Sequence, residues 1–344
     1  MSTTRGRPDD LTLRRALRRW AFNPVLREGP DVPAEIQHAL AWLQRSTKPV
    51  STLRRDENVR ALLSALRRNL DGALAAASVA NRKRRIINAL LEYAVKEREL
   101  LERNPIPAAR KAASAPKTTM AIDRRRVLNP VQARSLFKAV GEQARSGPRL
   151  VAFFGCLYFA GLRPEEAVAL RRRNLDLPVK GWGTIHLERS EPHAGREWTD
   201  SGKNRDLRPL KQRDEDEVRP VPCPPELTAM LHHHIKSFGI SQDGRIFRGE
   251  RNDNELPKLT IVRAWKRART DTFTPEVAAS PLGATPYDLR HAACSTWLNA
   301  GVPATTVADW AGHSVDVLLS TYARCIDGTT RTMQTMIDAV LGTT

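Results

Sequence analysis

The segment ATPYDLRHAACSTWLNAG, residues 284–301, constrains the fold of this chain more than any other stretch. It carries the signals of a complete helix: Thr285 as a candidate N-cap, Pro286 at the first helical position, Asp288 at capping-box spacing and Gly301 at the end. At roughly 100° per residue, Leu289, Ala293, Thr296 and Ala300 share one side, and Tyr287, Arg290, His291, Cys294 and Leu298 the other. Neither side is a solvated face of Lys and Glu. A helix that is apolar nearly all round is a buried one, so Arg290 points into a pocket rather than into water. A buried guanidinium without an anion is very costly. Either a carboxylate of the protein answers it or an anion of the substrate does, and taken alone Arg290 reads as half of an Arg–Asp pair between helices.

Charge narrows the choice. The 344 residues carry a formal net charge of +18, of which residues 1–120 hold +12. A surplus of this size points to a polyanion, and nucleic acid is the usual one. No run of about eighteen apolar residues marks a membrane span, and the polar start MSTTRGRPDD lacks an apolar signal core. Cys156, Cys223, Cys294 and Cys325 are scattered without a CxxC pair, which argues against a zinc site and fits a reducing cytoplasm. The expected location is the cytoplasm, in association with the nucleoid.

Along the chain, residues 1–29 read as a basic arm and 30–105 as a helical, DNA-binding domain. One helix follows Pro33, with Ile36, Leu40 and Leu43 on one face. A second opens at Ser51, with Leu62, Leu66 and Leu70 at helical spacing. A third opens near Ser78 with an apolar face of Ile86, Leu90, Tyr93 and Ala94, and stops at Asn104-Pro105. Its first turns hold Arg82, Lys83, Arg84 and Arg85, cations that oppose the helix macrodipole. Contact with DNA phosphates and a merely solvated face both account for that run. Residues 106–127, rich in Ala, Pro and basic side chains, read as a linker. Residues 128–344 then form a second domain, with helices at 129–141, 147–160, after Pro164, and at 224–237, 257–270, 286–300, 303–311 and 329–341, around a small hairpin of GTIHLERS and DEVRPVPC. The fold class is mainly α with a small β-hairpin or sheet, that is α+β.

Several chemistry-bearing residues stand at element boundaries. Arg163 sits at the turn before Pro164 in LYFAGLRPEEAVAL. His313 follows Gly312 in VADWAGHS, and Tyr322 comes nine residues later in TYARC. Two guanidiniums can clamp the non-bridging oxygens of a phosphodiester and stabilise the charge of its transition state. A tyrosine supplies a nucleophile whose pKa near 10 requires assistance at neutral pH, and a general acid must protonate the leaving alkoxide. His232, His233 and His234 run consecutively, so a helix splays them apart; no metal cluster and no phosphate-binding glycine loop is present in the sequence.

The ordered boxes GLRPEEAVAL, YDLRHAACSTWL, AGHS and TYAR resemble those of the tyrosine recombinase (phage integrase) family over residues 128–330, with LLERNP a weaker echo in the preceding domain. The resemblance implies a mainly helical catalytic domain with a small sheet, and a helical domain closing on the other face of the DNA. It makes Arg163 and Arg290 the catalytic arginines, His313 the third-box histidine, Tyr322 the nucleophile and Glu166 the acidic support of the first arginine. It also implies a lysine general acid in the hairpin: Lys211, with Lys203 as rival. One position departs from the pattern. Tyr287 stands where the family has His or Lys; it is a hydrogen-bond donor in a rewired site, or the mark of a weakened one. His291, about 100° round the helix, reads as a brace of the fold.

The implied activity is site-specific DNA recombination or integration through a 3′-phosphotyrosyl intermediate, without cofactor or metal. Its partner is double-stranded DNA carrying specific sites. The assembly is a tetramer, with the C-terminal helix and its Met333, Met336, Ile337 and Val340 stripe either exchanged between protomers or packed in cis. A type IB topoisomerase-like enzyme and a DNA-binding protein with impaired catalysis are the alternatives.

Overall fold

The structure is a computed structural model that describes residue 30 and residues 32–69, 71–106, 121–196, 199, 201–211, 217–250, 255–325 and 330–342. The basic arm over 1–29 and most of the 106–127 linker lie outside the described residues. The chain divides into two units, Met1–Thr119 and Met120–Thr344.

In the first unit, α1 (Ala34–Ser46) buries Ile36 and Ala39 with Val32 and Leu40 packed on them. Helix α2 (Asp56–Leu66) starts later than Ser51, which lies inside a 3-10 turn over Val50–Arg54. The later start places Asp56 and Glu57 in the first turn, where the helix dipole favours acids; a start at Ser51 would have put Arg54 and Arg55 there. Helix α3 (Ala77–Lys96) turns a different face inward from the one its sequence suggests. Ala80, Leu91 and Ala94 are buried, with Ile87 and Val95 beside them, whereas Ile86, Leu90 and Tyr93 are exposed. Two apolar stripes offset by one residue coexist on this helix, and packing with Val59 and Leu63 of α2 selects the second. The helix also ends at Lys96 rather than at Asn104. Residues beyond it fold back so that Leu101 and Ile106 join the same cluster, and the Asn104 side chain donates to Asn88 Oδ1 (3.1 Å) and Glu92 Oε1 (2.7 Å).

The second unit is built around α5 (Gly147–Phe159), which is buried over nearly its whole length. Helix α4 (Pro130–Gly141) packs on it and opens with a reciprocal cap: the Gln132 N–H donates to Asn129 Oδ1 at 2.9 Å, and the Asn129 N–H to Gln132 Oε1 at 3.0 Å. The short α6 (Pro164–Ala169) follows. The strands are more numerous than a hairpin. β1 (Leu175–Asp176), β2 (Gly183–Leu187) and β5 (Arg219–Cys223) form an antiparallel sheet in the order β1-β2-β5, with Ile185 opposite both Leu175 and Val221. β3 (Arg189–Ser190) and β4 (Arg208–Pro209) form a separate ribbon beside α6. Helices α7 (Pro225–Phe238) and α8 (Lys258–Thr272) complete the core, where Trp265 packs on Phe154 and donates its indole N–H to the Gly283 carbonyl.

After α9 (Pro275–Ala279) come the three helices that carry the site: α10 (Asp288–Asn299), α11 (Ala304–Ala311) and α12 (Val315–Tyr322). As expected of a helix apolar on both sides, α10 buries Leu289, Arg290, Ala292, Ala293, Cys294 and Ser295. α13 (Thr330–Leu341) ends the described chain. The linker reading fails at its C-terminal end. Ile122 donates its N–H to the Thr321 carbonyl and packs in the cluster holding Tyr322. Arg126 makes a two-pronged ion pair with Asp288 (2.9 and 3.1 Å) at the head of α10.

Candidate active site

Arg163 is placed by backbone conformation. Gly161, at φ +59, reverses the chain after α5, and a side chain there would strike Trp297. Arg163 then becomes the residue before α6, and Glu166 reaches back to it. Its Oε2 accepts the Arg163 backbone N–H (2.8 Å) and its Oε1 the Arg163 Nη1–H (2.6 Å). The other prong of Arg163, Nη2, donates to the Gly312 carbonyl at 2.8 Å. The first arginine thus holds the turn that presents His313.

Arg290 is fully buried and meets that turn from α10. It donates to the carbonyls of Gly161 (2.5 Å) and Ala311, lies 3.0 Å from His313 Nε2, and has Glu166 Oε2 at 3.8 Å. The Arg–carboxylate partner expected from the sequence is therefore present, but at ion-pair distance only, shared and off the direct hydrogen bonds. Arg219, at the start of β5, is the third guanidinium. Its Nη2 pairs with Glu166 Oε2 at 2.8 Å, while its Nε and Nη1 have no acceptor among the described residues. Burial, then the two neighbouring arginines, depress its pKa against the pull of Glu166. Sequence reasoning missed Arg219. The available signal was its phase: it alternates with Val221 and Cys223, both buried, and so faces inward.

One buried carboxylate serves all three arginines. Burial alone would raise the Glu166 pKa; Arg219, Arg290 and Arg163 together hold it at about 2. The same positive field, added to burial, pushes His313 down to about 3, so its imidazole is neutral and accepts from Arg290.

Tyr322 ends α12, a helix capped by Ser314 immediately after His313. Its ring is fully buried, 6.3 Å from that of His313, and its hydroxyl is 3.0 Å from His291 Nδ1. Burial raises the phenol's pKa well above its ordinary value. Tyr287 joins the group through His291, their rings meeting edge-on at 5.0 Å. His291, read as a brace of the fold, touches the candidate nucleophile instead.

Lys211 and Lys203 are not joined to this cluster by any contact among the described residues. Lys211 is exposed and follows Leu210, whose burial anchors the β3–β4 ribbon; Lys203 is exposed in the loop before β4. In the first unit, Lys83 donates to the Arg68 carbonyl at 2.8 Å, while Arg82 and Arg85 are exposed and Arg84 is half-buried. Among the described residues no group of three or more His, Cys, Asp or Glu side chains is arranged to hold a metal, and no helix is long and apolar enough to cross a membrane.

The model of the phage integrase family matches residues 126–327, more than half of the chain, and the protein belongs to this family of tyrosine recombinases. It is a site-specific tyrosine recombinase, an enzyme that transfers DNA strands. Solved structures share the fold. The Tn1549 transposon integrase in complex with transposon right-end DNA aligns with a TM-score of 0.61 at 15% identity, over 94% of this chain and 99% of that one. The XerH recombinase bound to its difH substrate aligns at 0.55 and 12% identity, over 98% and 90%. No curated protein matches the chain by sequence.

Proposed function

We propose that Arg163, Arg290, His313 and Tyr322 are the strand-transfer residues, and that the chain exchanges strands between two double-stranded DNA sites as a tetramer. The convergence of three buried guanidiniums on the single carboxylate of Glu166 carries this reading. Such a pocket has positive charge to spare for a phosphate, and most for the extra charge of its transition state. Tyr322 Oη attacks phosphorus, the P–O5′ bond breaks, and the enzyme holds a 3′-phosphotyrosine. Arg163 and Arg290 bind the non-bridging oxygens, with His313 and Tyr287 as neutral donors beside them. Lys211, or Lys203, delivers the proton to the departing 5′-oxygen once the ribbon closes on DNA. The incoming 5′-hydroxyl of the partner duplex reverses the step, so bond energy is conserved.

Arg290 is engaged by main-chain carbonyls and Tyr322 is buried. DNA binding therefore has to rearrange the turn around Gly312 and the end of α12. The apolar, exposed Ile337 and Leu341, one turn apart on α13, favour exchange of this helix between protomers; the side chains of Met333, Met336 and Val340 lie outside the described residues. Arg82 and Arg85, exposed on α3, contact DNA phosphates in this reading, with Lys83 and Arg84 beside them. The reading of DNA association in the cell follows from the same chemistry.

The test against a topoisomerase-like or binding-only protein is joining in trans. A labelled duplex and an unlabelled one of different length, both carrying sites that the protein binds, are incubated with it. Labelled products of hybrid length are expected. Relaxation or sealing of single duplexes with no hybrid product defeats the recombinase reading.

A further inference from the structure

The helix that supplies Arg290 also places an imidazole on the nucleophile, and the geometry points to His291 as the base that takes the phenolic proton of Tyr322. This deepens the reading above and rests on Tyr322 being the nucleophile. His291 Nδ1 lies 3.0 Å from Tyr322 Oη, within reach for direct transfer. The imidazole packs edge-on against two aromatic neighbours, the Tyr287 ring at 5.0 Å and the Tyr322 ring at 5.8 Å. The groups around it are Asp288 and Arg290 on its own helix, Arg126 from the segment before α4, and Tyr322 from α12; the Cys294 thiol faces the same hydroxyl. Burial holds His291 at about 4, so the ring is neutral and Nδ1 is free to accept when Nε2 carries the proton.

A buried phenol has a pKa far above neutrality and does not ionise unaided. In the step assigned here, the Oη proton moves to Nδ1 as the Oη–P bond forms and the P–O5′ bond breaks. The 5′-oxygen receives its proton from the separate general acid. The imidazolium left behind faces a phosphodiester anion, which offsets the cost of charging a buried ring. On rejoining, His291 returns the proton to Oη. Arg290, with four acceptors around it, already has its own work, and His313 is occupied by Arg290. No other ring nitrogen among the described residues is within hydrogen-bonding distance of Oη.

Single-turnover cleavage at saturating DNA tests this, with wild type, Tyr322→Phe, His291→Phe, which keeps the ring packing, and His291→Ala, which opens a space. His291→Phe is expected to cleave about 10²-fold more slowly with unchanged DNA affinity, and to stay slow on a substrate with a 5′-bridging sulfur, whose leaving group needs no acid. His291→Ala is expected to regain rate with added imidazole in proportion to its concentration. Wild-type rates for both variants overturn the assignment. So does recovery of His291→Phe on the sulfur substrate, which would put His291 on the leaving group. So does a loss in His291→Ala that imidazole leaves untouched, which would make the ring a packing element. Covalent adduct from Tyr322→Phe would sink the underlying nucleophile reading, whereas wild-type rates for the His291 variants with a dead Tyr322→Phe sink this inference alone.

Discussion

Arg219 occupies the space into which a side chain at Gly312 would project: a Cβ built on Gly312 would stand 2.0 Å from Arg219 Nη1. Gly312 also has φ +62, in the left-handed region that ends α11. A buried strand arginine and the turn of the third box are therefore locked together. Gly312→Ala must displace Arg219 and strain the backbone at once. The expected result is a stability loss of roughly 1–3 kcal/mol and a fall in cleavage of about 10²-fold or more as His313 and the Arg290 acceptors shift. Thermal melts and single-turnover cleavage measure the two effects.

Arg290→Ala should cost about 10² or more in cleavage rate with DNA affinity mostly kept. Arg290→Lys should not restore it. A point charge with no planar fork cannot reach the Gly161 and Ala311 carbonyls and His313 together. Cleavage within a few-fold of wild type in either variant would remove Arg290 from the site.

Glu166 gives an acid-dependent stability. Its folded pKa of about 2 lies below its ordinary value of 4.5, so its contribution is full above pH 4.5 and is lost as pH falls through about 2. The shift corresponds to about 3 kcal/mol. Glu166→Gln should melt well below wild type at pH 7, with the gap closing between pH 4.5 and 2.

The two site histidines act higher. His291 and His313 are held neutral, with pKa values of about 4 and 3 against an ordinary 6.5. Each therefore contributes stability that is complete above pH 6.5 and declines as pH falls towards its folded value. The wild-type melting temperature should drop from pH 7 to pH 4, and His291→Phe should flatten part of that slope.

In the first unit the basic run should split by role. Arg82→Ala and Arg85→Ala should weaken DNA binding and each reduce the salt dependence by about one charge. Lys83→Ala should instead lower stability, because its ammonium holds the Arg68 carbonyl. Equal salt effects for all of these variants would return Lys83 to the DNA.

What the sequence revealed depended on how locally each feature is encoded. The helix after Asn129 and the all-round apolarity of α10 lie within single segments, and both helices form there, but α10 opens at Asp288 rather than at Pro286, and Thr285 is not its cap: its backbone N–H and hydroxyl donate to Asp288 instead. The α3 face was legible only at Ala94: Ile86, Leu90 and Tyr93 compete with Ile87 and Leu91 one residue on, and only packing against Val59 and Leu63 decides for the latter. Helix α12 is too short for its period to stand out, although Ser314 caps it. In the site, the order of boxes singled out Arg163, Arg290, His313 and Tyr322, and these do meet. The angular position of His291 on its helix could not show that a residue 31 positions later would lie against it. Arg219 was hidden for the same reason: its partners Glu166 and Gly312 come from two distant turns.

The most direct test of the account is a covalent-adduct trap. Nicked duplexes, chosen from DNA that the protein itself selects by binding, are incubated with wild type and with Tyr322→Phe and resolved on a denaturing gel. The account predicts a protein–DNA band with wild type, linked through Tyr322 to a 3′-phosphate, and none with the variant. The same band from Tyr322→Phe, or no band from wild type that demonstrably occupies the DNA, would contradict it.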